Sequence, residues 1–558
     1  MGALLLCLAL AEGPAPTHRD RGLALLQRGD IAAALPELRA AVGADPADAV
    51  AQDSLGVALG ESGQPEAAEA AFREAIRLDP RRGESHFHLG AILDRLGRGR
   101  EAVAAFESAL RLDPDSVDAR YGLSVVSAKG GDVDGAIQLL REVIAQPTRP
   151  MVAAVRAPRL ADAHYDLGLH LWNRYRAGRA LRQPADLDEA ERELRQAVEL
   201  DPAKARSRLA LGQLLAERQR LEEAVAALRE AARVAGNDPA YAYDLGLALR
   251  LQGDLEGAET QLRTAIAGNP KHADARRALG LILRQKGDLA GAAAELRASV
   301  AESPRDAQAH NVLGTVLVKR DDVAGAIEEF RRATQLEPRL TEAYVNLAQA
   351  LTKAGQAEDA RSALAEVQRL KAEEAARSRA MLLVEMASKQ LGRDEIDPAV
   401  ASLREAVAAS PDFAEAHYLL GLALRRGPRA AAQASSAEDA LLAAVKLDPS
   451  HAAARYEWAR LLAARGDVVG AVDQLHRAVE LQPSLVAAHR ELARIGLASR
   501  DWATAVGQLR SALAWEPGHA RTRYDLAVAL EASGDVAGAA RELAHARRLD
   551  ATLPAVLR

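Results

Sequence analysis

Cysteine is almost missing from this chain: Cys7 is the one example in 558 residues. That excludes a disulfide framework and any metal site built on cysteine pairs. Aromatic residues make up only 3%, while alanine is abundant, a composition suited to helices packed through small side chains. The net charge is a mild −6 with no basic block, which gives nucleic-acid binding little support. Long apolar runs are missing as well. The one candidate, Met1–Ala11 (MGALLLCLALA), is much too short to cross a bilayer. No P-loop, dinucleotide fingerprint, HExxH or nucleophile elbow occurs. Serine, histidine and aspartate are plentiful, but none forms a constellation distinct from the background. The expectation is a chain that is not an enzyme and takes no cofactor.

What the chain does have is a period. The stretch Pro239–His272 returns when the sequence is shifted by 34 residues. Leu245-Gly246 recurs as Leu211-Gly212, Leu279-Gly280 and Leu313-Gly314; Ala258 as Ala224, Ala292 and Ala326; Pro270 as Pro304 and Pro338. A fixed period of this size marks a solenoid of stacked helix pairs. Each unit carries two amphipathic stretches. The first, Ala242 to about Leu251, ends at Gly253, which suits a left-handed helix cap. Asp254 is placed to cap the second, Leu255–Ile266, and Pro270 closes the unit, expected in the first turn of the next helix. Glycine inside a helix costs about 0.5–1 kcal/mol against alanine, so Gly246 needs a reason. Close approach of the two helix axes, through Gly246, Ala258 and Ala265, supplies one. A single hairpin cannot bury its own apolar face, so neighbours must complete the core.

This pattern, LG…G-D…A-x3-L-x2-A…P, resembles the tetratricopeptide repeat family. Family aromatics are mostly replaced here by Leu, Val or Ala, the second-helix aromatic surviving as Phe72, Phe106 and Phe330. The resemblance implies an all-α fold, a right-handed α–α superhelix of stacked helix–turn–helix repeats. It also implies a non-catalytic scaffold that binds protein or peptide segments in its concave groove. The base-reading pentatricopeptide class is disfavoured by the register, the closing prolines and the slight acidity.

Following the Leu-Gly position along the chain gives markers at Gly22, Gly56, Gly90 and Ser124, then Gly168 and Gly212 after two steps of 44 residues. The organisation expected is residues 1–14 as an apolar leader; 15–150 as repeats 1–4; 151–160 as a joint; 161–374 as repeats 5–10, with a loop insertion at about 174–187; 375–553 as repeats 11–15; and a stub at 554–558. Between Gly355 and Gly392 there is neither glycine nor proline, so a long helix fusing two units is expected there. The run Met1–Ala11, ending Ala9-Leu10-Ala11, resembles the core and cleavage site of a secretory signal without its positive leading segment. The alternative is the first turn of an N-terminal helix. The expected location is the periplasm or envelope of a bacterium, with the cytoplasm as alternative, and the composition resembles that of bacteria with GC-rich genomes.

In tetratricopeptide arrays the first helix of each pair lines the groove. Carried over by register, the site three before the marker holds Phe87, Tyr121, Tyr165, Tyr243, Tyr418, Tyr456 and Tyr524. The next site holds Asp166, Asp244, Asn346, Glu457 and Asp525 among others, with Asn311 one residue out of step. Tyrosine offers contact area at low entropic cost and keeps a hydroxyl, although the repeat itself favours these residues for packing. The Lys/Asn clamp for a terminal carboxylate, used by the chaperone-binding members, does not match these acidic sites. The asparagine ladder of the glycosyltransferase members is matched only at Asn346. The acidic row suggests a partner segment carrying Lys/Arg or exposed amide N–H groups. A second reading is an accessory subunit that tethers a separately encoded enzyme, such as a glycosyltransferase, or a secretion or assembly machine. His18, His86, His164, His310, His417 and His489 all lie four before a marker and are read as packing, since repeat spacing separates them too far to share a metal. The arginines Arg174, Arg176, Arg179 and Arg182 are read as an ordinary solvated loop.

Overall fold

A computed structural model describes residues 17–146, 153–177, 184–427 and 432–555. Among these residues there are 29 α-helices, one short 3-10 turn at Pro239–Tyr241, and no strand. The run Met1–Ala11, with Cys7, lies outside the described residues, as do Arg179 and Arg182.

The seventh repeat shows how the sequence builds the unit. Its first helix, Ala242–Gln252, stops where Gly253 takes a left-handed conformation, φ 94°. The Asp254 side chain then accepts from the Gly257 amide at 2.9 Å and starts the second helix, Leu255–Gly268. Asp288, Asp322, Asp467, Asp501 and Asp535 cap their helices in the same way, each cap contributing about 1 kcal/mol. The marker glycine is the point of closest approach. A Cβ on Gly246 would stand 2.9 Å from Leu262 Cγ and 3.4 Å from the Ala258 carbonyl oxygen. It is thus the leucine of A-x3-L that rests on the glycine, with the alanine backbone behind it. Pro270 differs from expectation. It sits in the connecting turn, before the cap residue His272 and the helix Ala273–Lys286, and its carbonyl accepts from the Arg276 guanidinium at 2.9 Å.

The helix Ala357–Gly392 runs without a break for 36 residues and supplies the second helix of one repeat and the first of the next. Counting it twice, the helices pair into fifteen repeats. The two 44-residue steps are carried differently from the joint and the loop expected. The helix Ala153–Ala177 takes up most of the joint at 151–160, and the following helix begins at Pro184. Lengthened helices therefore absorb most of both insertions. From His18–Gln27 to Val117–Lys129, and again from Ala153–Ala177 to Ala414–Arg426, first helices of successive repeats pack directly on one another, as second helices do not to any comparable extent. The first-helix side is consequently the tighter side of those two stretches.

The chain forms two compact units. In Gln146–Pro449, one apolar cluster runs unbroken from Val225 to Ala363, each repeat finishing the core of its neighbour. The other unit joins the two ends of the chain, Met1–Ala145 and Ser450–Arg558. There the helix Gly99–Leu112 packs on Trp502–Trp515, and Trp515, 1% exposed, shares a cluster with Leu93, Phe106, Leu110 and Leu139. Asp132 accepts from the Ser484 amide and hydroxyl, both at 2.8 Å. Glu107 accepts from the Ser511 hydroxyl at 3.1 Å, the Gln138 amide donates to the Trp515 carbonyl at 3.2 Å, and Arg100 pairs with Glu480 at 3.0 Å.

Candidate functional site

The expected row of groove residues is best followed within each unit. In Gln146–Pro449, Tyr165, Asp166, Tyr243, Asp244, Asn346 and Tyr418 are half-buried on first helices, whereas Asn311 is buried. Their local partners differ. The Arg206 guanidinium lies over the Tyr165 ring, 4.7 Å from its centroid. The Tyr243 ring sits 4.8 Å from the His272 ring and leans on the apolar cluster beneath. Asn346 Nδ2 donates to Asn311 Oδ1 at 2.9 Å, linking successive first helices. Asp244 accepts from Gln213 Nε2 at 2.9 Å and among the described residues forms no ion pair. Burial pushes its carboxyl above the usual carboxylate range, against the pull of the Gln213 amide and of the His272 imidazole.

In the unit formed by the chain ends, Phe87, Tyr121, Tyr456 and Asp525 are half-buried, while Glu457 and Tyr524 are buried. Phe87 contacts the Phe106 ring at 6.0 Å and the His88 ring at 5.3 Å. Asp525 accepts from Arg521 at 2.9 Å, and Arg460 and Arg521 lie over the rings of Tyr456 and Tyr524. Here the acidic row is met by arginines on its own helices. Asn311, Glu457 and Tyr524 are therefore engaged inside the stack, and the surface open to a partner is narrower than the sequence pattern implies.

The histidines four before the marker prove to belong to a repeated structural joint. His310 contacts Glu329 Oε2 at 2.6 Å and the Pro304 carbonyl at 3.2 Å. His489 contacts Gln508 at 2.6 Å and the Pro483 carbonyl at 3.0 Å. Arginine does the same elsewhere: Arg276 reaches Glu295 and the Pro270 carbonyl, and Arg523 reaches Glu542 and the Pro517 carbonyl. One side chain thus ties the closing proline turn to the second helix of its own repeat. Sequence reading recognised the histidines and missed the arginines. The constant offsets, proline six before and Glu or Gln nineteen after, were the available signal. Among the described residues no group of three or more His, Cys, Asp or Glu is placed to hold a metal ion, and no helix is long and apolar enough to cross a membrane. Trp172 is buried and donates to Glu217 at 2.8 Å.

Stacked helix pairs presenting a polar, tyrosine-bearing face on first helices define an all-α helical-repeat superhelix, a class of protein-interaction scaffold. Models described as tetratricopeptide repeat match residues 19–82, 54–99, 92–150, 175–242, 243–307, 385–440 and 429–486, and a second such model matches 317–382 and 496–557. The chain belongs to the tetratricopeptide repeat family. No curated protein matches it. Among solved structures it is similar to MamA from Desulfovibrio magneticus RS-1, at 28% identity over 30% of this chain and 95% of that one, TM-score 0.28. It is also similar to PilF of Pseudomonas aeruginosa, at 17% identity over 41% and 94%, TM-score 0.34. A third is Cut9 in the APC/C hetero-tetramer Cut9-Hcn1, at 16% identity over 86% and 95%, TM-score 0.33. With TM-scores this low, nothing about this chain's partners is drawn from them.

Proposed function

We propose that the first-helix face of Gln146–Pro449 holds an extended segment of a partner protein, without catalysing any reaction, and that the segment carries Lys or Arg. Asp244 carries this reading. Among the described residues its half-buried carboxylate is hydrogen-bonded only to a neutral amide and forms no ion pair. A carboxylate held this way gains from a cation that arrives with the ligand. Tyr165, Asn346 and Tyr418 lie on the first helices of repeats 5, 10 and 12 of the same unit and suit main-chain and side-chain contacts of modest strength summed over many positions. The test is binding of the full chain to an array of Lys/Arg-rich, neutral and Asp/Glu-rich peptides, repeated with Asp244→Asn. Preference for the basic peptides, weakened several-fold by the substitution, supports the proposal. Preference for acidic peptides, or indifference to Asp244→Asn, counts against it. Export of the chain through Met1–Ala11 to a bacterial envelope belongs to the same proposal, and N-terminal sequencing of the protein from its source tests that part.

A further inference from the structure

The junction between the chain ends leaves a cavity of about 760 Å³, walled by repeats 3 and 4 on one side and by the last two repeats on the other. Its size is that of a small-molecule site, and its charge is one-sided. Leu513, Leu526 and Leu530 form apolar wall, and Arg120, 9% exposed, is buried beside them. Arg120 spends its other nitrogens on the Pro114 carbonyl and on Glu142 at 3.2 Å, but among the described residues its buried Nη1 has no hydrogen-bond partner. Arg81, Arg111, Arg510 and Arg541 also line it, and among the described residues none of the four forms an ion pair. That sets them apart from the many arginines elsewhere in the chain that pair with Glu or Asp. The two acids of the lining are occupied: Asp535 caps the Gly538 amide at 2.8 Å, and Glu542 pairs with Arg523 at 2.8 Å. Burial, together with the charge of Arg510, lowers the Arg111 guanidinium below its ordinary range despite the opposing pull of Glu107. His545 is lowered by burial and by Arg523 and Arg548. In both cases burial is the larger cause, and neighbouring arginine charge adds to it against the opposing pull of one acid, Glu107 or Glu542.

We propose that this cavity binds a small molecule carrying two or more oxyanion groups, phosphate or carboxylate, which bridges repeats 3 and 4 to the last two repeats. Planar guanidinium groups arriving from both walls favour bidentate contacts to such groups. The site belongs to the unit formed by the chain ends, whereas the partner segment is assigned to Gln146–Pro449, so the two proposals are tested independently.

Isothermal titration of the full chain with pyrophosphate and, separately, with citrate tests the proposal and distinguishes a phosphate from a carboxylate ligand. Binding of either probe is expected, weakening as salt rises. The double variant Arg510→Gln/Arg541→Gln should weaken it at least tenfold, and Arg263→Gln, at a Glu259 pair in the other unit, should leave it unchanged. Because Arg510 and Arg541 hold no ion pair, the double variant should melt at the parental temperature or above it, which separates lost binding from lost folding. Failure of both probes at millimolar concentration overturns the proposal. So does undiminished binding by the double variant, or binding of a glutamate-rich peptide with no response to either small probe.

Discussion

The marker glycine offers a perturbation whose sign is set by geometry. A Cβ on Gly314 would stand 2.5 Å from Cε1, 2.7 Å from Cδ1 and 2.8 Å from Cζ of Phe330, which is 1% exposed and enclosed by its neighbours. Overpacking of this kind costs about 1–3 kcal/mol, and the better helix propensity of alanine returns about 1 kcal/mol. Gly314→Ala should therefore destabilise its repeat by roughly 1 kcal/mol or somewhat more. Gly507 is the control. It lies inside the helix Trp502–Trp515 with nothing within 4 Å of its would-be Cβ, so Gly507→Ala should stabilise by about 0.5–1 kcal/mol. A chain of fifteen repeats need not unfold in one step, so the assay is native-state hydrogen exchange. It should be read at the helices Ala307–Lys319 and Val323–Leu336 for the first variant, and at Trp502–Trp515 for the second. Opposite signs support the packing argument. Stabilisation by Gly314→Ala would refute it.

Other outcomes follow from the junction and the repeated joint. Trp515→Ala should cost about 3–5 kcal/mol in the unit that joins the chain ends and separate the helices Gly99–Leu112 and Trp502–Trp515, which spin labels placed on each can follow. Burial raises Glu107 above its ordinary value of 4.5, opposed by His489, Arg111 and the Ser511 hydroxyl. A raised carboxyl gives stability that is complete below the unfolded value and lost as pH climbs through the folded one. Glu107→Gln should thus gain on the parent as pH rises from below 4.5 toward neutrality, and denaturant melts at several pH values showing a constant or shrinking difference would contradict this. Removing the joint in one repeat with His310→Ala, which strips the partners of Glu329 and the Pro304 carbonyl, should cost about 1–3 kcal/mol, read by exchange in that repeat.

The hairpin was legible in the sequence because its determinants are local. Gly253 and Asp254 announce the turn by chemistry that acts within a few residues, and Gly246 announces a close approach by being out of place in a helix. The long helix Ala357–Gly392 was legible for the opposite reason, the absence of anything to stop it. The junction was not. Asp132 and Ser484 are 352 positions apart, and each looks like an ordinary member of its own repeat. The same holds for Trp515, which in the sequence is simply the last residue of one more second helix. Among the expected groove residues, register alone could place Asn311 and Tyr524 on first helices, but their burial depends on how neighbouring repeats close over them. The arginines of the proline joint were missed because His and Arg look unlike each other, although both donate to a carbonyl and reach a carboxylate or an amide.

The central claim is that first helices, and not second helices, hold the partner. A photoreactive side chain at Tyr243, on the first helix of repeat 7, can be compared with one at Arg263 on the second helix of the same repeat, using the full chain and a Lys/Arg-rich peptide. Crosslinking at position 243, absent at 263 and reduced by Asp244→Asn, is the result expected. Equal crosslinking at both positions, or crosslinking at 263 alone, would contradict the account.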